Sequence, residues 1–177
     1  GTFAGLMIIG NLKSIGLVHI PNEIVLATGI AIFSVANFTG RLFWGWLADH
    51  VGAFLLLPLS LLITGVAVFM ITVVTLNTIT YYLLAFAVGF SFGAHLVLYA
   101  RETAHRFGLE KLAIIYPYVF LGYGLSGILG PVTGGFLSDI TGNYYFAAQV
   151  AMYLCLIVAV AIVIEYILRR IRSKIRN

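Results

Sequence analysis

The segment NFTGRLFWGWLADHVG, residues 37–52, decides the fold of this chain. It carries Arg41 inside an otherwise apolar run, about two helical turns before Asp49. The segment ends in an Asp-x-x-Gly turn at Gly52. Because a guanidinium is costly to place in hydrocarbon, an arginine at this position predicts a functional role.

The composition indicates that lipid surrounds most of the chain. Hydrophobic residues make up 62% of the 177 residues and charged residues only 9%, whereas soluble domains carry about 25% charged residues. A soluble fold would expose more apolar surface than a monomer tolerates. The predicted fold class is therefore an all-α membrane protein. Cys155 is the single cysteine, so we expect no disulfide framework and no cysteine-based metal site. No other metal site and no cofactor are predicted.

Apolar runs of the length that crosses a bilayer recur along the chain. The predicted helices lie at about residues 2–17, 24–48, 53–76, 79–101, 112–138 and 144–168. The first is too short for a full span and is predicted to be truncated. Residues 1–168 are thus predicted to form one transmembrane bundle, with a loop at 101–111 and a basic tail at 169–177.

Lysine and arginine are concentrated on one side of the predicted bundle. That side carries Arg41, the loop 101–111 and the tail 169–177, whereas the other side carries only Lys13. The positive-inside rule predicts that the basic side, including the C-terminus, is cytoplasmic and that the protein lies in the cell membrane. The net charge of +4 is then a topology signal, and no nucleic-acid partner is expected.

A short motif occurs twice, as GWLADHVG at 45–52 and GFLSDITG at 135–142. The first copy closes the second predicted helix and the second copy closes the fifth, at opposite faces of the membrane. Two inverted three-helix repeats would produce this arrangement, as they do in secondary transporters. The alternative is chance recurrence of glycine-rich helix ends.

These motifs resemble those of a known family. The pattern Gly-Arg-x-x-x-Gly-x-x-x-Asp-x-x-Gly at 40–52 resembles the loop motif of the major facilitator superfamily, and six helices in two inverted triplets resemble the C-terminal half of such a transporter. Residues 37–49, together with AGLMIIG at 4–10 and YGLSGILGP at 123–131, are most similar to the oxalate/formate antiporter and monocarboxylate transporter group. The resemblance implies alternating-access transport of a small carboxylate anion, with or without a coupled proton or counter-anion. It also implies an N-terminal six-helix half as partner in the lipid bilayer.

The resemblance implies a gating role for Gly45, Asp49 and Gly52 at the cytoplasmic face. A turn-forming aspartate that caps the next helix is the alternative. Ala53 and Phe54 then stand where the superfamily usually has basic residues, which predicts a weakened charge network.

Arg41 is the predicted substrate-binding residue. Asn37 lies four residues earlier on the same helical face, and Ser34 lies one turn beyond it. The planar fork of an arginine suits a carboxylate, and the resemblance implies that the arginine of this helix contacts the substrate carboxylate. The alternative is an arginine that snorkels to the cytoplasmic interface.

The fifth predicted helix adds Tyr123 as a candidate substrate-binding residue. Tyr116 and Tyr118 lie nearer the cytoplasmic end and are predicted to belong to an interfacial aromatic belt. The predicted helix 112–138 has no lysine, whereas oxalate-transporting relatives pair the arginine with a lysine there. The resemblance therefore favours a monocarboxylate over oxalate.

His95 lies well inside a predicted span and is a candidate proton relay. It ends a small-residue stretch at 89–95, where helices can approach closely. The alternative is a polar residue that hydrogen-bonds a neighbouring helix.

Two other functions stay open at this point. One is a non-functional transporter fragment, because one bundle cannot perform alternating access alone. The other is a membrane redox subunit, which would need paired histidines deep in the membrane. No nucleophile–base constellation is present, so an enzyme is not predicted.

Overall fold

The computed structural model describes residues 1–176, without the side chains of residues 170 and 173–176. Within this range the chain consists of six helices: α1 Thr2–Leu17, α2 Glu23–Val51, α3 Ala53–Val73, α4 Thr78–Phe107, α5 Leu109–Thr141 and α6 Tyr145–Arg176. In the described range, α2 to α6 are long and apolar enough to cross a membrane, and α1 is a shorter apolar helix. The predicted all-α fold is confirmed.

Local sequence explains where the helices begin and end. Asn22 caps α2 by accepting from the backbone N–H groups of Ile24 and Val25 at 3.0 and 3.3 Å. Single glycines connect α2 to α3 and α4 to α5, since Gly52 and Gly108 adopt φ values of 92° and 81°. Such positive φ values are strained for residues with a side chain, so glycine permits these one-residue connections.

The helices extend further at the predicted basic side than hydropathy indicates. The loop predicted at 101–111 is wrong, because α4 continues to Phe107 and α5 begins at Leu109. The predicted division between bundle and tail after residue 168 falls inside α6. Hydropathy marks the depth of the hydrocarbon, whereas a helix continues for as long as its backbone hydrogen bonds are maintained.

Three of the extensive helix interfaces are related as in an inverted repeat. They join α2 with α4, α1 with α5, and α3 with α6. Exchanging α1–α3 with α4–α6 turns the α2–α4 interface into the α1–α5 interface and leaves the α3–α6 interface in place, as the duplicated motif predicts. The α3–α4 interface departs from this relation, because it is extensive whereas its counterpart between α6 and α1 is small.

Glycines bring the two repeat-related interfaces into backbone contact. On α4, a Cβ added at Gly93 would lie 3.0 Å from the backbone nitrogen of Arg41. Gly40 lies directly against the carbonyl of Phe90, and Gly130 lies against the backbone of α1. Gly40 and Gly130 occupy the same repeat position, five residues before the glycine that opens each motif copy. Small residues at such contacts are what close helix packing in membranes requires.

The main apolar core is formed by α1, α2, α3, α4 and α6. Tyr81 is 1% exposed, and its hydroxyl lies 3.2 Å from the Leu12 carbonyl oxygen and 3.4 Å from that of Leu26. A buried phenol of this kind needs such acceptors, since an unpaired polar group is costly in an apolar environment. Outside the core, α5 is exposed along nearly its whole length, with Gly130 and Gly134 as its buried residues.

Candidate functional site

Arg41 and Asn37 form a polar pair on the open face of α2. The Arg41 Nε donates to Asn37 Oδ1 over 2.9 Å, which is the i, i+4 contact that the spacing predicts. Ser34 does not join this pair, because its hydroxyl donates to the Ile30 carbonyl over 2.9 Å. The structure therefore brings together two of the three polar residues on the predicted stripe.

The Arg41 side chain is directed away from the nearer end of its helix. Asn37 lies toward the middle of α2, whereas the helix ends ten residues beyond Arg41 at Val51. A snorkelling side chain would extend toward the nearer interface. Arg41 is exposed, and among the residues that the structure describes its two terminal amino groups have no hydrogen-bond partner. The guanidinium thus presents free donors on the open face.

The backbone under this pair is held by α4. Gly93 contacts the backbone of Asn37 and Arg41, and one turn further along α2 the Trp44 Nε1 donates to the Phe90 carbonyl over 3.2 Å. Trp44 is 2% exposed. These contacts place the arginine on a rigid interface, which is what a binding site needs.

Tyr123 lines a neighbouring cavity of about 240 Å³ between α1, α4 and α5. Its ring stacks on Phe120 at a centroid distance of 4.9 Å and on Phe92 at 6.3 Å. The Tyr123 hydroxyl makes no hydrogen bond to Arg41 or Asn37 in the described part of the chain. The structure therefore places Tyr123 in a cavity between α1, α4 and α5 and does not join it to the polar pair.

Tyr116, predicted to belong to an interfacial belt, also contacts a neighbouring helix. Its hydroxyl donates to the Leu96 carbonyl over 3.3 Å, and it lines the same cavity as Tyr123. Tyr118, two residues on, is 72% exposed. Tyr116 lies near the beginning of α5, and its long side chain reaches α4. The position of Tyr116 along the sequence does not indicate this contact.

His95 is fully buried behind this cavity. Its ring stacks on Tyr99 at 5.9 Å and lies 6.4 Å from the ring of Phe92. Neither ring nitrogen has a hydrogen-bond partner among residues 1–176. The alternative of a histidine that hydrogen-bonds a neighbouring helix is therefore not observed in the described chain.

Asp49 of the predicted gating motif pairs with a residue that sequence reasoning treated only as a topology signal. Arg101 of α4 donates through Nη2 to the Asp49 carboxylate and through Nη1 to the Gly45 carbonyl over 3.2 Å. Asp49 does not cap α3, because the N-cap of that helix is Gly52 with no side-chain hydrogen bond. A carboxylate bonds a guanidinium more strongly than it bonds a neutral backbone N–H. Asp49 therefore pairs with Arg101 and not with the beginning of α3.

The register of two parallel helices is the signal that could have identified Arg101. Gly93 packs against Arg41, and eight residues later on each helix come Arg101 and Asp49. Two residues that lie eight positions beyond a contact on two parallel helices are again at the same depth. The sequence contains these steps, but the starting contact at Gly93 is known only from the fold.

A different charge network lies beside Phe54, at the place where the sequence predicts a weakened one. The Phe54 ring lies under two guanidinium groups, with Arg106 at 4.9 Å and Arg169 at 5.7 Å from its centroid. Glu165 accepts from both arginines, at 3.1 and 2.5 Å respectively. The prediction missed this network because its charges come from α4 and α6 and not from the loop.

Sequence comparison decides which family has this fold and motif. The profile of the Major Facilitator Superfamily matches residues 2–176. The chain belongs to the Major Facilitator Superfamily. The predicted family is thereby confirmed, and the six helices and their repeat-related interfaces are those of a superfamily member.

Curated relatives of this superfamily chain include transporters from bacteria and mammals. It is 29% identical over 127 residues to the uncharacterized MFS-type transporter YhjX of Escherichia coli (strain K12), covering 71% of this chain and 31% of the relative. It is 28% identical over 146 residues to monocarboxylate transporter 13 of Rattus norvegicus, covering 81% and 33%. It is 30% identical over 131 residues to monocarboxylate transporter 9 of the same species, covering 73% and 25%. The chain thus spans about a third or less of the curated relatives it matches.

Separating Asp49 from Arg101 in this superfamily member should cost little stability. The two side chains are 55% and 40% exposed, and exposed ion pairs contribute about 0.2–1 kcal/mol. We therefore expect Asp49→Ala and Arg101→Ala each to lower the free energy of unfolding of the complete protein by about 1 kcal/mol or less. Unfolding in mixed detergent micelles measures this change.

The double variant Asp49→Ala/Arg101→Ala completes a double-mutant cycle. A direct contact predicts a coupling energy that differs from zero. Strictly additive single-variant effects would contradict the pairing, and Glu110→Ala, an exposed α5 residue, serves as the control.

Proposed function

We propose that this chain is the C-terminal six-helix half of a secondary transporter that moves a small carboxylate anion by alternating access. The observation that carries the proposal is the Arg41 guanidinium, bonded to Asn37 and directed toward the middle of α2 with its terminal amino groups free. A guanidinium fork matches a carboxylate in bidentate geometry and is always charged. The names of monocarboxylate transporters 13 and 9 among the relatives support the same substrate class.

A single cation at the site favours a monocarboxylate over a dicarboxylate such as oxalate. Beyond Lys111 in its first turn, α5 contains no lysine to face Arg41. A second carboxylate would then lie without a charged partner, which is costly away from water. Formate and larger monocarboxylates need only the one guanidinium that the site offers.

His95 is the proposed proton relay, and Tyr123 the proposed third substrate-binding residue. The imidazole is buried beside Tyr99, which with Tyr123 lines the cavity between α1, α4 and α5. A histidine with unpaired ring nitrogens can accept or release a proton without breaking an existing hydrogen bond. Carboxylate transport would then be coupled to movement of a proton. Exchange of the carboxylate for a counter-anion is the alternative mode.

Gly45, Asp49 and Gly52 are the proposed gate, with Arg101 as the residue that closes it. Arg101 holds both the Asp49 carboxylate and the Gly45 carbonyl, at the end of α2. An exposed ion pair can open at small cost, which suits a contact that must break in each transport cycle. We place this end on the cytoplasmic side, together with the C-terminus, in a cell membrane.

A second six-helix bundle is the proposed partner, since alternating access moves one bundle against another around a central site. Arg41 and the length of α5 are exposed in this chain, and the second bundle would face them. Six further apolar spans encoded in frame upstream of Gly1, or on a separate matching chain, are expected. Their absence from the coding DNA would favour a non-functional transporter fragment.

Uptake into proteoliposomes that contain the complete protein tests the proposed function. Labelled lactate, pyruvate and formate are expected to accumulate faster than oxalate, and a neutral sugar and an organic cation serve as controls. In the same vesicles, a trapped pH dye reports proton entry. His95→Gln should reduce the proton entry that accompanies uptake. Tyr123→Phe should slow uptake, and proton entry should slow with it. Transport of the cation or the sugar without any carboxylate would contradict the proposal.

A further inference from the structure

A second cavity lies outside the proposed carboxylate site. It has a volume of about 600 Å³ and opens where α2 ends and α3 begins, between the C-terminal parts of α4 and α6. Its lining includes Phe54, Arg101, Glu102, His105, Tyr166 and Arg169. Three of these side chains carry nitrogen donors, and they come from two helices that are distant in sequence.

Hydrogen-bond donors exceed acceptors in this cavity. Within the part of the chain that the structure describes, Arg101 uses its Nη1 and Nη2 groups once each, and Arg169 uses only Nη2, toward Glu165. A guanidinium has five N–H donors, so both retain donors for a further ligand. The N-terminus of α3 adds backbone N–H groups that no side chain caps.

The acidic residue in the lining does not supply the missing acceptor. Glu102 is bound to Arg106 at 2.5 Å, and its side chain is only 13% exposed. Asp49 is held by Arg101 in the same way. Each of these carboxylates already accepts from an arginine, and the unused arginine donors suit a further group rich in oxygen acceptors.

Exposed apolar residues lie beyond the cavity along α3. Phe54 and Tyr166 form its aromatic side, with ring centroids 6.0 Å apart. Leu55, Leu59 and Leu62 follow on one stripe of α3 and are 45%, 44% and 40% exposed. A donor-rich cavity at the end of a membrane span, followed by an exposed leucine stripe, suits a ligand with a polar head and an apolar chain.

We propose that this cavity binds the phosphate group of a membrane phospholipid. The phosphate oxygens would accept from Arg101 and Arg169, since guanidinium groups bind phosphate with charge-assisted hydrogen bonds. The acyl chain would lie along the leucine stripe of α3. The site is distinct from a general attraction of lipids to the basic end of α6, because it is built from α3, α4 and α6 together.

Native mass spectrometry of the complete protein in detergent tests the proposal. Phosphatidylglycerol is the probe, and diacylglycerol, which has the same chains without phosphate, is its matched control. We expect retained phosphatidylglycerol, no comparable retention of diacylglycerol, and about fivefold weaker retention in Arg169→Gln, as expected for one basic residue near a lipid surface. His105→Gln is a second lining variant should Arg169→Gln not fold.

Arg172→Gln is the matched control variant, because Arg172 is an exposed basic residue of α6 that does not line the cavity. Equal loss of lipid in Arg172→Gln and Arg169→Gln would overturn the proposal in favour of general charge attraction. Displacement of the lipid by an equal concentration of inorganic phosphate would overturn the lipid as ligand. Lipid retention is read without transport, so this test and the uptake test can fail independently.

Discussion

Replacement of Arg41 by alanine in the complete protein is expected to reduce carboxylate uptake by about 100-fold or more. A hydrogen bond to a charged group contributes about 1.5–3 kcal/mol, and a bidentate contact consists of two, while each 1.4 kcal/mol is a factor of ten. The Asn37 amide oxygen would also lose its donor. Initial rates of labelled lactate or pyruvate uptake in proteoliposomes measure the effect.

Two further variants separate the fork from the charge and from the fold. Arg41→Lys keeps the charge but loses the bidentate geometry, so an intermediate rate is expected. Thr39→Ala is the neighbouring control, because the Thr39 hydroxyl is already bonded to the Val35 and Ala36 carbonyls. Wild-type uptake by a correctly inserted Arg41→Ala protein would show that the arginine serves the interface and not the substrate.

Replacement of Gly40 by alanine is expected to destabilise the complete protein by about 1–3 kcal/mol, the usual cost of overpacking a well-packed contact. The added Cβ would collide with the backbone carbonyl of Phe90 on α4. A backbone atom cannot rotate away as a side chain can, so the two helices must separate. The free energy of unfolding in mixed micelles, or the melting temperature in detergent, measures the loss.

Gly45 provides the matched control on α2, because a Cβ added there would meet the Val97 Cγ1 at 3.4 Å, an ordinary van der Waals contact with a side chain. Gly45→Ala should be nearly neutral or stabilising, since alanine is favoured over glycine by up to about 1 kcal/mol in a helix. Gly130→Ala, at the repeat position of Gly40, should destabilise in the same direction as Gly40→Ala. Equal stability of the Gly40 and Gly45 variants would contradict the close α2–α4 contact.

The contacts within single helices were the part of the site that spacing could predict. Arg41 and Asn37 meet because four residues make about one helical turn, whatever surrounds the helix. The repeated motif at 45–52 and 135–142 likewise indicated two related triplets, and three of the helix interfaces follow that relation. The boundaries near residues 101 and 168 were wrong, because polarity marks the edge of the hydrocarbon and not the end of a helix.

Contacts between helices were the part that spacing could not predict. Arg101 reaches Asp49 and Tyr116 reaches the Leu96 carbonyl only because α2, α4 and α5 are held at one register. Phe54 stands where a weakened network was expected, yet it lies between Arg106 and Arg169. In each of these contacts the two residues lie on different helices, and no periodic pattern in the sequence connects them.

By itself, the sequence determined the membrane setting, the helical fold, the repeat and the pairing of Arg41 with Asn37. These follow from composition and from the fixed geometry of a helix, which depend only on residues that are near in sequence. Only the tertiary structure decided which part of α4 packs against Arg41, the partner of Asp49 and the cavity beside Phe54. The reason is that glycine contacts such as Gly93 against Arg41 set the register between helices, and that register determines which distant side chains lie at the same depth.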